Sequence, residues 1–165
     1  MTERQGNGSE FNDTEPSPAE ILAPAPVLGL GAFLIGVGLH LLNPISVFPT
    51  PLNFIGGGIL VIVGVGILLT ALRTMRQISK SPPHEDEPSE LLTDGPFKYT
   101  RNPLYLGIIV IYLGLTALLN SLWPLAPLLV LVWYFDRVAR REEAYLESKF
   151  GNEFSQYREN VRRWL

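Results

Sequence analysis

The chain has 165 residues, 47% of them hydrophobic, with 13 Lys and Arg against 16 Asp and Glu, no Cys, two His and a net charge of −3. Its mean hydropathy is +0.19 although 18% of the residues are charged, because the charges are segregated: residues 21–72 and 102–135 are uncharged tracts of 52 and 34 residues. This excludes a disulfide-stapled domain, a cysteine-ligated metal or redox centre and a soluble enzyme with an ordinary core, and basic residues that sit beside apolar tracts give nucleic-acid binding no support.

Residues 1–20 carry Glu3, Glu10, Asp13, Glu15 and Glu20 against Arg4 and read as a disordered acidic tail. Without a basic start, and with the first apolar run beginning only at position 21, it is not expected to be a signal peptide. A bilayer crossing takes roughly 20 apolar residues, so each uncharged tract holds about two helices. The expected fold of residues 21–165 is therefore an all-α, polytopic membrane protein with about four transmembrane helices, at about 26–42, 52–72, 103–119 and 123–139.

The first helix is expected to stop at Asn43-Pro44, since proline disfavours helix in the residue before it. Nine of the 15 glycines fall in the first two spans, which lets those helices approach one another or a ligand closely. None forms a strict GxxxG pair, and Gly64-x-Gly66 is read as a helix-packing feature. Pro103 suits a first helical position. The 34 uncharged residues of the second tract leave almost no loop, so helices three and four are expected to form a tight antiparallel hairpin.

Beyond the apolar stretch, the fourth helix is expected to run on to Phe150, with Gly151 as its C-cap. A short amphipathic helix carrying Phe154, Tyr157 and Val161 follows, placed at the cytoplasmic interface. Arg158, Arg162 and Arg163 would hold it against anionic lipid headgroups. The basic residues Arg73, Arg76, Lys80, Lys98, Arg101, Arg137, Arg140 and Arg141 flank the tracts on one side, whereas loop 43–51 and the Asn120-Ser121 turn are uncharged. By the positive-inside rule the loop 73–102 and the segment 140–165 are expected to be cytoplasmic, as are both termini; the expected location is the cell inner membrane. His40 and His84 fall on opposite sides of this membrane, without clustered carboxylates, so no metal site is expected; His40 is read as a satisfied interfacial residue.

One dense cluster carries the chemistry: Leu91-Leu92-Thr93-Asp94-Gly95-Pro96-Phe97-Lys98-Tyr99-Thr100-Arg101-Asn102-Pro103-Leu104-Tyr105-Leu106-Gly107. Gly95-Pro96 signals a turn, and Asn102-Pro103 delivers the chain into the third helix. An Arg, an Asn, two Tyr and free helix-terminal amides thus converge at the membrane boundary, a site suited to a carboxylate or other anion. The same residue types also suit a second arrangement, in which Lys98 and Arg101 snorkel to headgroups and the tyrosines join an aromatic belt.

This cluster, followed by Arg141-Glu142-Glu143-x-Tyr145-Leu146-Glu147-x-x-Phe150-Gly151-x-x-Phe154-x-x-Tyr157 and Val161-Arg162-Arg163-Trp164-Leu165, resembles the isoprenylcysteine carboxyl methyltransferase and phospholipid methyltransferase superfamily over about residues 91–165. The resemblance implies an integral membrane enzyme that uses S-adenosylmethionine in a cytoplasmic pocket between its last helices. Carried over position by position, it puts Gly95, Pro96, Tyr99, Arg101, Asn102, Pro103, Tyr105 and Gly107 on one wall of the cofactor site and Glu142 and Glu143 on the other, with Arg101 and Glu142 as the catalytic pair. Asn102 stands where eukaryotic prenylcysteine enzymes generally have His, so the chain is more similar to the phospholipid enzymes and bacterial relatives.

The chemistry of the cofactor agrees: its carboxylate calls for Arg101 and helix amides, its ammonium and sulfonium for Glu142 or Glu143. On residue type alone the two glutamates also suit a solvated helix face with Asp136–Arg140 pairing. The expected activity is methyl transfer to a carboxylate, amine or thiol of a small lipophilic or lipid substrate drawn from the membrane, without metal or nucleic acid. The alternatives are an NADPH-dependent sterol-reductase-like membrane enzyme and a non-catalytic membrane scaffold.

Overall fold

The computed structural model describes residues 25–46, 49, 51–78 and 90–165. The expected acidic tail and His84 lie outside the described residues. Among these residues the structure is all helical. Five α-helices, α1 (Ala25–Leu42), α2 (Leu52–Ile78), α3 (Pro103–Leu119), α4 (Leu125–Phe150) and α5 (Asn152–Asn160), are joined by a 3₁₀ turn at Gly95–Lys98 before α3.

Helices α1 and α3 keep the expected limits. Helix α2 runs on past Leu72 to Ile78: Arg73, Thr74, Met75, Arg76 and Gln77 are mostly good helix formers, and leaving an apolar medium does not break a backbone ladder. Helix α4 begins at Leu125, two residues later than Trp123, because Trp123 and Pro124 are used in the turn. There Asn120 caps α3 in the left-handed region at φ 51°. At the far end of α4 the N–H of Gly151 donates to the Glu147 carbonyl at 2.9 Å, and Gly151 itself lies at φ 52°, a conformation open to glycine.

Helices α1 and α2 are each long and apolar enough to cross a membrane, and little of either is buried within the protein. A core helix of a soluble protein would be covered by its neighbours. Here Leu30, Leu34, Ile35, Ile55, Ile59 and Ile62 are exposed instead, as a lipid-facing surface requires. Helix α3, at 17 residues, is a shorter apolar helix, and α4 becomes charged from Asp136 onward.

The closest helix contact is between α2 and α3, not within the hairpin of α3 and α4. The cause is a pair of seven-residue glycine repeats. Gly57 faces Gly114 and Gly64 faces Gly107 in antiparallel register: a Cβ added at Gly64 would stand 2.7 Å from the Ile111 N and 2.9 Å from the Gly107 carbonyl O, and one at Gly57 would stand 2.8 Å from the Gly114 O. Fully buried Ala71 continues the repeat. Small residues in place of side chains bring the backbones together. Gly66, by contrast, faces open space.

The hairpin turn of residues 120–124 is as short as expected, but α3 and α4 are held apart by large side chains. The rings of Tyr105 and Phe135 stack at 4.7 Å, and the Tyr112 hydroxyl donates to the Pro124 carbonyl at 2.8 Å. Helix α1 lies across both helices: Gly36 packs on Pro124, and Phe33 meets Tyr112 edge to face at 5.4 Å. The His40 Nδ1 is buried without a hydrogen-bond partner, which corrects the expected satisfied interfacial histidine.

Candidate functional site

The Asn102-Pro103 start of α3 and the polar half of α4 meet at the end of the bundle opposite the 120–124 turn. Pro103 occupies the first helical position, where its missing N–H costs nothing. Two turns past Phe135, where the uncharged tract ends, Glu142 accepts a hydrogen bond from the Tyr105 hydroxyl at 2.8 Å. These residues, with Arg101, Asn102, Leu104, Met75, Leu92 and Phe97, line a cavity of about 80 Å³.

The Arg101 side chain is nine-tenths buried and forms an ion pair with Glu143 through Nη2 at 3.4 Å. Its Nε and Nη1 are buried with no hydrogen-bond partner. A buried donor left unpaired costs on the order of 1–3 kcal/mol, and more when it is charged, so the guanidinium is set up for an acceptor. Burial lowers its pKa, opposed by Glu143 and reinforced by Arg163. Burial also pushes the Glu142 carboxyl from its ordinary 4.5 up to about 7, with Glu143 adding to the rise and the Tyr105 hydroxyl opposing it.

Glu143 has another principal partner. Arg163 grips it with two prongs, Nε to Oε1 at 2.8 Å and Nη2 to Oε2 at 2.7 Å, and reaches Asp136 through Nη1 at 3.3 Å. Trp164 donates to the same Asp136 at 3.3 Å. The backbone of this segment straps the cluster that precedes α3: Arg101 N–H donates to the Arg162 carbonyl at 3.0 Å, and Thr100 Oγ1 and Asn102 Nδ2 donate to the Arg163 carbonyl at 2.8 and 3.3 Å. Helix α5 completes the seat by burying Phe154, and its Tyr157 hydroxyl donates to the Phe97 carbonyl at 2.7 Å.

Of the expected site residues, Arg101, Asn102, Pro103, Tyr105 and Glu142 come together around one cavity. Gly95, Pro96 and Tyr99 do not join them: with Thr70, Arg73, Thr74, Gln77 and Lys98 they line a separate groove of about 570 Å³ against α2. The 3₁₀ turn separates the two spaces, because buried Phe97 points to one side and exposed Lys98 and Tyr99 to the other. Gly107 belongs to the α2 seam, and Glu143 lies behind Arg101 in the ion-pair cluster.

Arg163 also departs from its expected place: rather than meeting lipid headgroups it turns inward onto Glu143 and Asp136, while Arg158 pairs with Glu147 at 2.8 Å. Arg162 remains exposed. The signal was the presence of Asp136 and Glu143 seven residues apart on α4, an acidic pair needing a cation from elsewhere.

The phospholipid methyltransferase family pattern matches residues 52–153. The chain belongs to that family, within the superfamily that includes the isoprenylcysteine methyltransferases. It is 38% identical over 72 residues to a protein-S-isoprenylcysteine O-methyltransferase of Schizosaccharomyces pombe, covering 43% of this chain and 30% of the yeast protein. It is 30% identical over 110 residues to a probable protein-S-isoprenylcysteine O-methyltransferase of Oryza sativa subsp. indica, covering 64% of this chain and 56% of the plant one. An uncharacterized protein of Haemophilus influenzae is 47% identical over 64 residues, which is 38% of this chain and all of that protein. The matched region thus spans between about a third and just over half of the two named methyltransferases. No solved structure matches the chain significantly.

Proposed function

We propose that the protein is an S-adenosylmethionine-dependent methyltransferase of the membrane, acting on a small lipophilic or lipid acceptor. The observation that carries this reading is Arg101, nearly buried with two unpaired donors, in the same small cavity as the Tyr105–Glu142 pair. The donor set fits the amino-acid end of the cofactor. Arg101 would hold the carboxylate through charge-assisted hydrogen bonds, and Glu142 would face the ammonium or sulfonium.

At about 80 Å³ the cavity is smaller than the roughly 300 Å³ at which small-molecule pockets begin. It would therefore take the amino-acid end alone, and the remainder of the cofactor would lie outside it. When bound, S-adenosylmethionine supplies a methyl group on a sulfonium, open to in-line displacement by a nucleophile. The protein's share of the work is alignment and exclusion of water. Glu142, raised to about 7, would also be able to take a proton from an amine acceptor near neutral pH. For a carboxylate or thiolate acceptor no proton has to move.

The same reading places four crossings in the inner membrane, with α3 and the apolar half of α4 joining α1 and α2, and both termini on the cytoplasmic side. The 34-residue uncharged tract and the basic residues at its two flanks support that topology. A substrate held in the bilayer would then meet the site from the lipid side.

The test is calorimetric titration of the detergent-solubilised protein with S-adenosylmethionine and S-adenosylhomocysteine, followed by transfer of labelled methyl to extracted lipid. Saturable binding that is lost in Arg101→Ala supports the reading. Binding of NADPH with no heat from S-adenosylmethionine or S-adenosylhomocysteine would overturn it in favour of a reductase.

A further inference from the structure

The cluster around Arg101 holds three arginines, Arg101, Arg140 and Arg163, and two carboxylates, Asp136 and Glu143, all joined by contacts of 2.7 to 3.4 Å. Within this network of contacts three positive charges meet two negative, which leaves one positive charge unmatched, and Glu142, the carboxylate that shares the cavity, is hydrogen-bonded to Tyr105. Which arginine carries that surplus is decided by geometry. Arg163 takes both oxygens of Glu143 at 2.7 and 2.8 Å and also touches Asp136. Arg140 takes the other oxygen of Asp136 at 2.7 Å. Arg101 is left with one ion-pair contact at 3.4 Å and no hydrogen bond to it. A two-pronged guanidinium–carboxylate pair is stronger and more directional than a single longer contact, so the surplus settles on Arg101.

We propose that Arg163 is a positioning residue for the cofactor site: by gripping Glu143 it keeps that carboxylate from capping Arg101, and so leaves Arg101 open to the carboxylate of an incoming ligand. This rests on the cofactor reading given above. The backbone supports the same role, since the Arg163 carbonyl accepts from Thr100 and Asn102 on either side of Arg101. One residue therefore fixes both the peptide that bears Arg101 and the carboxylate that competes for it.

Without the Arg163 guanidinium, Glu143 would have Arg101 as its remaining cation at hydrogen-bonding range. An ionised acceptor would then occupy donors that the ligand needs. Removing the competing charge as well would return them. A purely structural role for Arg163 makes the opposite forecast, because a second substitution in the same cluster would not repair a loosened strap.

The experiment compares wild type, Arg163→Gln and the double variant Arg163→Gln/Glu143→Gln by calorimetric titration with two probes. S-adenosylhomocysteine carries the amino-acid carboxylate, and 5′-methylthioadenosine lacks it. Arg163→Gln should bind S-adenosylhomocysteine about tenfold or more weakly, and the double variant should recover to within about threefold of wild type, as expected for a charge-assisted hydrogen bond lost and regained. Affinity for 5′-methylthioadenosine should be the same in all three. Thermal unfolding without ligand checks that each variant is folded. If Arg163→Gln does not fold, Arg163→Lys serves in its place: it keeps one charged contact to Glu143 and should lose about threefold for S-adenosylhomocysteine only. Equal losses in the single and double variants, or equal losses for both probes, overturn the proposal, as does wild-type affinity in Arg163→Gln. Wild-type protein that binds neither probe overturns the cofactor reading itself and this inference with it.

Discussion

Helix α3 is packed on two sides by opposite means. Against α2 it presents Gly107 and Gly114, and the partner answers with Gly64 and Gly57, so the contact is backbone on backbone. Against α4 it presents Tyr105 and Tyr112, whose rings keep the helices apart and whose hydroxyls reach Glu142 and the Pro124 carbonyl. The first interface leaves no room for a ligand. The second is wider and ends in a polar cavity, because aromatic spacers hold open the place where α4 turns charged. One helix can thus serve as a rigid spine on one face and as the wall of a site on the other.

The largest effect is expected from breaking the spine. A Cβ at Gly64 meets the Ile111 N and Gly107 O, backbone atoms that cannot move aside. Gly64→Ala should destabilise the protein by about 1–3 kcal/mol, the usual range for overpacking, and Gly64→Leu should abolish the folded state in detergent. Gly66 lies two residues away and faces open space. Gly66→Ala should leave the thermal midpoint unchanged or slightly raised. Equal midpoints for Gly64→Ala and Gly66→Ala would show that the close seam does not exist in solution.

On the other face, Arg101→Ala should weaken S-adenosylhomocysteine binding about ten- to a hundredfold, the loss of one or two charge-assisted hydrogen bonds. The thermal midpoint should hardly fall. Arg101 has two buried donors without partners, and Glu143 keeps Arg163 when it is removed. A large drop in stability with unchanged binding would reverse the assignment and make Arg101 structural.

These two residues mark what the amino-acid order reveals and what it conceals. The uncharged tracts located the apolar helices, Asn43-Pro44 and Pro103 set the end of α1 and the start of α3, and the Arg101-Asn102-Pro103 cluster with Glu142 marked the cavity-lining residues, because each is a local signal. The glycine seam was present in the sequence at a spacing of seven, but a search for pairs four apart passes over it. Antiparallel helices in a left-handed crossing repeat their contact every seven residues, so the spacing acquires meaning only once the partner helix is known. Arg163 was hidden for a similar reason. Its partners lie 20 and 27 positions away, and an arginine beside an apolar tract looks the same whether it faces lipid or protein. Glycines 95 and 107 shared the motif with Arg101 but not its side of the chain: the 3₁₀ turn and the helical period sent them elsewhere.

Glu142 offers a pH-dependent test of the site face. With its carboxyl raised from 4.5 to about 7, the folded protein binds more protons than the unfolded chain between those values. Stability from this group is therefore fully present below about 4.5 and is lost as the pH rises toward 7, then levels off. Glu142→Gln should remove that part of the slope in the thermal midpoint between pH 5 and 7. Binding adds a second readout. A ligand cation placed at Glu142 favours its ionised form, so S-adenosylhomocysteine should release protons when it binds near pH 7, measured as heats that differ between buffers of different ionisation enthalpy. Glu142→Gln should bind without that release, and an unchanged release would place the ligand's ammonium away from this carboxylate.

The smallest effect separates the two contributions within the wider interface. Tyr105→Phe keeps the ring stacked on Phe135 at 4.7 Å and removes the hydrogen bond of 2.8 Å to Glu142. The stability cost should be about 0.5–1.5 kcal/mol, a single hydrogen bond. Because the hydroxyl opposes the rise in the Glu142 pKa, its removal should move the midpoint of ligand-linked proton release to higher pH, while Arg101 and its carboxylate contact stay as they were. Tyr105→Leu would take away the spacer as well, and the cavity should then close, with binding lost along with the hydrogen bond. If Tyr105→Phe and Tyr105→Leu bind S-adenosylhomocysteine equally well, the ring does not hold the site open, and the difference between the two faces of α3 reduces to packing alone.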